Sequence, residues 1–393
     1  MSGHILTLNA GSSSIKFAVF EQDPARSTPR ISGKIAGIGR APEFTATNGS
    51  GTPLDKGALE TLDTGLDHEQ IIALFLSWLR DHRGGKPLLA VGHRVVHGGL
   101  RFTGPTRITQ DVLDALEGFS PLAPLHQPHN LAAIRAVAEW QPGLTQIACF
   151  DTSFHRSQDR VAELFALPRA LLDEGVIRYG FHGLSYEYIA SVLPDHIGAR
   201  AQGRVIVAHL GNGASMCAMK DRKSRATSMG FTALDGLMMG RRCGTLDPGV
   251  VLYLMQARGM TAAEVETLLY RKSGLLGVSD ISNNMQVLTQ SDSPNAREAI
   301  DLFCYRAASV LAGLVPAIDG LDALVFTAGI GENASAVRKA ICDRLAWLGI
   351  ALDEDANAAN ATTINTQDAP VKVLVIPTNE EIVVANGCRL LLA

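Results

Sequence analysis

The sequence predicts an α/β protein made of two related halves, each a mixed β-sheet with helices packed on it. Residues 5–18 read as apolar strand, small polar turn, apolar strand, and residues 206–218 repeat that shape with Gly11 over Gly211 and Ala18 over Ala218. Each half then passes from several strands to helix–strand alternation, the pattern of a mixed sheet covered by helices. At 393 residues, 46% hydrophobic and 19% charged, the chain has the length and composition for two or three buried cores.

In the first half the spacing predicts strands near 4–9, 15–20, 30–38 and 43–47. An amphipathic helix over 68–82 follows, where Ile71, Ile72, Leu74, Phe75, Trp78 and Leu79 recur at helical spacing. A strand at 88–92 leads into His93-Arg94-Val95-Val96-His97-Gly98-Gly99. Helices at 109–118 and 128–139 then precede a strand at 145–150 that stops at Asp151. The second half offers strands at 204–210, 214–219 and 224–229, then helices near 248–257, 261–270 and 295–316. A strand at 323–327 runs into a glycine turn, 328–333, and a helix to about 348. Residues 353–368 read as an Ala/Asn/Thr-rich connector, and a strand at 371–376 feeds a terminal helix.

Composition narrows the function. A net charge of −4 and the lack of a basic run with interleaved aromatics argue against nucleic acid or an anionic membrane as partner. Six scattered cysteines without a C-x-x-C pair fit neither a zinc site nor a disulfide framework, and suit a reducing cytoplasm. The start of the chain has no basic export signal, and no run of about 18 apolar residues is evident.

The two glycine turns are candidates for phosphate binding, because glycine and small hydroxyl residues let backbone N–H groups approach an anion that a Cβ would exclude. Plain β-hairpins would read the same way. Strand ends in such sheets present polar side chains to ligand, which singles out Asn9, Arg94 and Asp151. Arg94 has the fork geometry for phosphate or carboxylate, or for a surface ion pair. Asp151 is either a ligand or a helix cap, since Thr152 and Ser153 follow. Three histidines draw notice: His126 in a loop set by prolines, His182 between Gly180 and Gly183, and His209 before the second turn. Each could equally be a satisfied core or surface group. Gly240-Arg241-Arg242-Cys243-Gly244 places two cations ahead of a helix, a setting suited to phosphoryl groups or an ordinary charged loop. Ala328 to Asn333 could bring backbone against a nucleotide, although G-x-G alone is weak and no P-loop motif is present. Thr378 and Glu381 match a capping box, whereas Glu380 is unexplained by it and could reach magnesium through water.

Residues 6–16 and 205–215 resemble the two signature segments of the acetate kinase family, and five further segments resemble it in the same order: 93–99, 150–155, 240–249, 328–333 and 378–381. The resemblance covers essentially the whole chain. It implies the actin/Hsp70/sugar-kinase fold, with an N-terminal domain 1–150 joined by the helix 381–393, a nucleotide-binding domain 151–380, and the active site in the interdomain cleft. It also implies reversible ATP-dependent acyl phosphate synthesis, acetyl phosphate from acetate, by a cytoplasmic homodimer, with ATP/ADP as co-substrate and Mg2+ (or Mn2+) as metal. Propionate or butyrate kinase is the nearest alternative, and a non-catalytic ATP-binding protein of the same fold a distant one. By the family pattern Asn9 and Glu380 help hold magnesium, and Arg94 and Arg242 bracket the transferring phosphoryl. His182 hydrogen-bonds that group, Asp151 acts in its transfer, and His126 lies beside it. Lys16, His209, Leu210, Gly211, Asn212 and Gly213 approach the nucleotide. So do Asn284, Met285, Gln286, Gly329, Ile330, Gly331, Glu332 and Asn333. Val96, Leu125, Phe181 and Ala233 line the acyl pocket.

Four positions depart from that pattern. Asn284-Met285-Gln286 stands where Asp-x-Arg is common, Arg241 replaces a threonine, Thr245 an aspartate, and Ala233 a proline. The first change puts nucleotide affinity in question. The last leaves room for another methylene in the acyl pocket.

Overall fold

The computed structural model describes residues 3–11, 13–124 and 126–393. The chain divides into two compact units: residues 1–154 with 379–393, and residues 155–378.

The first unit is built on a seven-stranded sheet. Its strands are β1 (His4–Ala10), β2 (Ser14–Glu21), β3 (Ile31–Ala36), β4 (Glu43–Asn48), β5 (Leu88–Val95), β6 (Thr106–Arg107) and β7 (Thr145–Phe150), in the order β4-β3-β2-β1-β5-β7-β6. The β1–β4 segment is an antiparallel meander, and β1, β5 and β7 run parallel. Leu6, Leu8, Phe17 and Val19 alternate onto one face, where they pack with Ile71, Ile72, Phe75 and Leu79 of the helix His68–His82. On the opposite face lies the terminal helix Glu380–Leu392. A Cβ on Gly92 would stand 2.5 Å from Val384 Cγ1, so this glycine permits the close approach of that helix to β5.

The second unit repeats the plan with β8 (Arg204–Leu210), β9 (Ala214–Lys220), β10 (Lys223–Thr227), β11 (Ala323–Thr327) and β12 (Lys372–Val375), ordered β10-β9-β8-β11-β12. Two antiparallel pairings are again followed by parallel ones. Every strand of β8–β12 is matched in order by one of β1, β2, β3, β5 and β7, and the 200-residue offset between the glycine turns is carried through the flanking strands.

Several local expectations need correction. Strand β5 continues to Val95 because its parallel pairing with β7 runs on to Val95 opposite Phe150, so Arg94 lies inside the strand instead of after it. Ala328–Asn333 is a short helix, not a glycine turn, and the strained left-handed backbone there falls on Ala328 (φ 64°). The 353–368 connector contains a helix, Glu354–Ala358, and pairs locally with neighbouring strands. The helix Gly183–Ile197 was legible in the helical spacing of Leu184, Ile189, Ala190 and Leu193 but went unassigned. The helix Pro294–Ile318 is long and apolar enough, by length and composition alone, to cross a membrane, although Arg297, Glu298, Asp301 and Arg306 interrupt its apolar residues. Its Ala299, Phe303, Ala307 and Leu311 form a buried stripe that packs on the helices Gly274–Ser279 and Ser335–Asp343, as a core helix does.

Candidate active site

In the first unit, β1 and β5 run side by side and bring Asn9 next to Arg94, while β7 delivers Asp151 at its end. Asp151 grips the Arg94 guanidinium with both oxygens, Nε to Oδ1 at 2.9 Å and Nη2 to Oδ2 at 2.6 Å. Arg94 Nη1 donates to Asn9 Oδ1 at 3.1 Å, and Glu380 Oε2 stands 3.7 Å from Nε. Burial alone would lower the Arg94 pKa, but the carboxylates of Asp151 and Glu380 outweigh it and hold the group firmly charged. One guanidinium against two carboxylates leaves the cluster with a net negative charge, ringed by hard oxygen donors.

Glu380 reaches this cluster from the first turn of the terminal helix. The cap of that helix is Asn379, whose Oδ1 accepts from Ile382 N at 3.1 Å, one residue later than the predicted Thr378 cap. Thr378 N donates instead to Glu332 Oε1. The expected capping box is absent because Thr378 is still extended chain committed to the second unit.

The second unit gathers its site around the β8–β9 hairpin. Gly211 N donates across the turn to Gly213 O at 3.0 Å, just as Gly11 N donates to Ser14 O at 2.8 Å. The first N–H of each turn thus closes its hairpin, and the Asn212 and Gly213 N–H groups have no backbone acceptor among the described residues. A Cβ on Gly213 would meet Arg242 Nη2 at 3.2 Å and His182 Nε2 at 3.3 Å, so two polar side-chain tips converge on this bare backbone. Arg242 is aimed by Nη1, which donates to Ala233 O at 2.6 Å. His182 holds a left-handed backbone (φ 57°) at the start of the helix Gly183–Ile197. Its Nδ1 is 2.8 Å from Ser215 Oγ, which the Tyr186 hydroxyl also contacts. The His209 ring stacks on His182 with centroids 4.3 Å apart, and its Nδ1 lies 2.8 Å from Ser185 Oγ, which donates to Thr378 Oγ1.

The helix that follows the two-arginine loop does not offer its positive end to a ligand. Asp247 caps Pro248–Gln256 through Gly249 N. Thr245, one of the unusual residues, ties the loop down by bonding Asp235 Oδ1 at 2.8 Å. Arg241 is exposed and makes no ion pair among the described residues.

A cavity of about 700 Å³ opens beside Gly211 and Asn212. Asn284, Met285, Gln286, Gly329, Ile330 and Asn333 also lie on its wall, which carries no charged side chain. Asn284 caps the helix Met285–Thr289, and Asn333 Nδ2 donates to Gly329 O. Five other candidates are not on this wall: His209, Leu210, Gly213, Gly331 and Glu332. Leu210 is core, Gly331 O accepts from Arg338, and Glu332 holds Thr378. Lys16 lies in the first unit, on β2. Of the acyl-pocket candidates, Val96 and Phe181 are buried, Ala233 is half-buried, and Leu125 lies outside the described residues. His126 sits at the start of the helix Gln127–Trp140.

Sequence reasoning missed Ser215 and Tyr186, which aim His182, and Arg338, which is fully buried. Arg338 bonds Gly331 O, Glu332 O, Asn357 O, and the side chains of Asn357 and Asn360, and so ties the cavity's short helix to the 353–360 segment. Nothing in the amphipathic spacing of its helix marks it as buried.

Comparisons with known proteins give the family. A model of the Acetokinase family matches residues 4–386. An acetate kinase of Rhodopseudomonas palustris strain TIE-1 is 54% identical, over 98% of both chains. One of Methylocella silvestris is 47% identical, over 100% of this chain and 98% of its own. Among solved structures, a propionate kinase from Francisella tularensis superposes with a TM-score of 0.91 at 35% identity, covering 98% of both chains. The acetate kinase of Porphyromonas gingivalis gives 0.88 at 34%, covering all of both.

Proposed function

The chain belongs to the acetokinase family, and from that premise we propose that it transfers the γ-phosphoryl of ATP to acetate, reversibly, to give acetyl phosphate. The observation that carries the reading is the convergence of Arg242 Nη2 and His182 Nε2 on the side-chain-free Gly213. A carboxylate is already ionised at neutral pH, so its attack on phosphorus needs no strong base. The protein's task is to bring two anions into line and to spread the charge of the equatorial oxygens over fixed donors.

Within this reading, Arg242 and the Gly213 N–H donate to the phosphoryl oxygens, with Arg242 aimed by Ala233 O. His182 must offer Nε2–H to do the same. Burial raises the Tyr186 pKa well above its usual value and keeps the phenol protonated. A chain from Tyr186 O–H to Ser215 to His182 Nδ1 then leaves the imidazole proton on Nε2. Arg94 supplies the second guanidinium. Asp151 spends both oxygens on Arg94, which makes it a poor base and supports a positioning role. Donors of this kind are each worth roughly 3–4 kcal/mol in a transition state.

The residues of the first unit fit a magnesium ion. Asn9, Asp151 and Glu380 are hard oxygen donors with net negative charge, and magnesium takes one or two carboxylates together with substrate phosphates. Asn9 and Glu380 would hold it, and manganese suits the same oxygens. When bound, the ion neutralises phosphate charge. The uncharged cavity beside Gly211 is the proposed nucleotide site, and its size is that of a small-molecule pocket. The units defined by compactness then divide the labour: the first holds metal and Arg94, the second nucleotide.

Two further readings follow the family. A homodimer is supported by the helix Pro248–Gln256, which buries none of its residues and exposes Val250, Leu252, Tyr253 and Met255. A reducing, cytoplasmic setting is supported by six free cysteines. Propionate is the second substrate reading, favoured by the small Ala233 side chain and by the Francisella propionate kinase likeness. One methylene is worth about 1–3 kcal/mol in an apolar pocket. We predict that hydroxylamine trapping with Mg-ATP detects acyl phosphate from acetate and propionate, with kcat/KM for the two within a hundredfold. Absence of hydroxamate from every short-chain acid would contradict the kinase, and a larger gap would remove the role of Ala233.

A further inference from the structure

Two loops of the second unit decide where the Arg242 guanidinium points. One, 240–245, carries Arg242 itself; the other, 230–236, carries Ala233, whose carbonyl accepts from Arg242 Nη1 at 2.6 Å. The aim of the side chain therefore depends on how the loops sit against each other. Thr245 joins them with three hydrogen bonds. Its N–H donates to Gly236 O at 2.9 Å, its Oγ1 accepts from Gly236 N at 3.2 Å, and its hydroxyl donates to Asp235 Oδ1 at 2.8 Å. Backbone packs on backbone beside this joint, since a Cβ on Gly244 (φ 73°) would stand 2.5 Å from Leu237 O and 2.6 Å from Gly236 O. The other Asp235 oxygen, Oδ2, accepts from Arg178 Nη1 at 3.2 Å, and the same nitrogen donates to Ser228 O. Ser228 is fixed to the sheet: its Oγ accepts from Met216 N of β9 at 2.8 Å, and its N–H donates to Met216 O at 2.9 Å. A continuous run of bonds thus leads from β9 through Ser228, Arg178, Asp235 and Thr245 to the loop of Arg242.

We infer that Thr245 and Asp235 are positioning residues for Arg242: the hydroxyl bond between them sets the spacing of the arginine and the Ala233 carbonyl, and so the direction of the guanidinium. The inference rests on the proposed phosphoryl transfer, in which Arg242 acts on the transferring group. A misplacement of about 1 Å at such a group costs up to about a hundredfold in rate. The link is this chain's own, since an aspartate, common at position 245 in the family pattern, has no proton to give Asp235. Thr245 is exposed, so water takes over its bonds when the hydroxyl is lost and folding is little affected.

The test is steady-state kinetics with Mg-ATP and acetate, beside a thermal melt, on Thr245→Val, Thr245→Ser, Arg242→Ala and the double variant Thr245→Val with Arg242→Ala. Valine keeps the shape of threonine without its hydroxyl, and should lower kcat about tenfold with KM for ATP within about threefold. Serine keeps the hydroxyl and should stay within about threefold of the wild-type kcat. With Arg242 gone there is nothing left to aim, so adding Thr245→Val to Arg242→Ala should lower kcat by less than about twofold, whereas independent effects would multiply. Both single Thr245 variants should melt within about 3 °C of the wild type. Wild-type kcat in Thr245→Val, an equal loss in Thr245→Ser, a full tenfold loss on top of Arg242→Ala, or a fall in kcat that tracks a lowered melting temperature overturns the inference and leaves the kinase reading standing. Near-normal turnover by Arg242→Ala removes the role of the arginine in that reading, and the inference with it.

Discussion

The Tyr186–Ser215–His182 chain makes a demand on single atoms. If it sets the imidazole tautomer, Ser215→Ala and Tyr186→Phe should each lower kcat by about tenfold, the size of one weakened general donor, while leaving KM for ATP within threefold. Steady-state kinetics checks this, and a KM effect without a kcat effect would remove the chain from the mechanism. Two other histidines act on stability instead. Burial pushes His93 and His155 down to about 4, in spite of the bonds to Gln146 Oε1 and Phe181 O. The unfolded chain takes up those protons near 6.5, so folded stability is full above that pH and falls as pH drops from 6.5 to 4. The loss is on the order of 3 kcal/mol per histidine. Thermal melts across this window should therefore slope downward with acid, and His93→Gln should flatten the slope; a pH-independent melting temperature would contradict the assignment. At this scale Arg94, Asp151, Asn9 and Glu380 were legible as polar residues at strand ends and after the last strand. Ser215 and Tyr186 were not, because a serine in an apolar strand and a tyrosine on a helix carry no signal until the fold stacks them against His182.

Among the elements, the short helix Ala328–Asn333 shows how the cavity wall is held. Arg338 spends its donors on carbonyl oxygens with no carboxylate partner, an arrangement in which burial lowers its pKa. Replacing it by methionine would strip several buried carbonyls of their donor, at a cost in stability of about 1–3 kcal/mol for each acceptor left unsatisfied. Because the helix lines the proposed nucleotide cavity, Arg338→Met should also raise KM for ATP more than it lowers kcat. Denaturant melts and kinetics read the two effects, and an unaltered KM would leave Arg338 as core alone. Most strands and the longer helices were readable from period and turn chemistry, but the helix expected to run to about 348 stops at Asp343, and the short helices Arg160–Glu163, Arg169–Asp173, Gly274–Ser279 and Met285–Thr289 carried no expectation. The misses have physical causes: β5 is lengthened by pairing with β7, the 328–333 segment is wound into a helix by Arg338 and its neighbours, and the Thr378 cap gives way to Asn379 because Glu332 has already claimed the Thr378 N–H.

For the whole molecule, duplication is the organising fact. Two sheets of matching strand order each carry one glycine hairpin, and each unit holds one of the two arginines. The repeat was visible in the sequence because both copies keep the strand–turn–strand spacing. What differs between the copies was not: one hairpin leads to the Asn9, Arg94 and Asp151 cluster proposed to hold the metal, the other to Arg242 and His182. The most direct test of the account is therefore Arg242→Ala, assayed with Mg-ATP and acetate beside a thermal melt. The prediction is a fall in kcat of more than tenfold with folding intact. Near-normal turnover would contradict the proposal that Arg242 and His182, converging on Gly213, neutralise the transferring phosphoryl group.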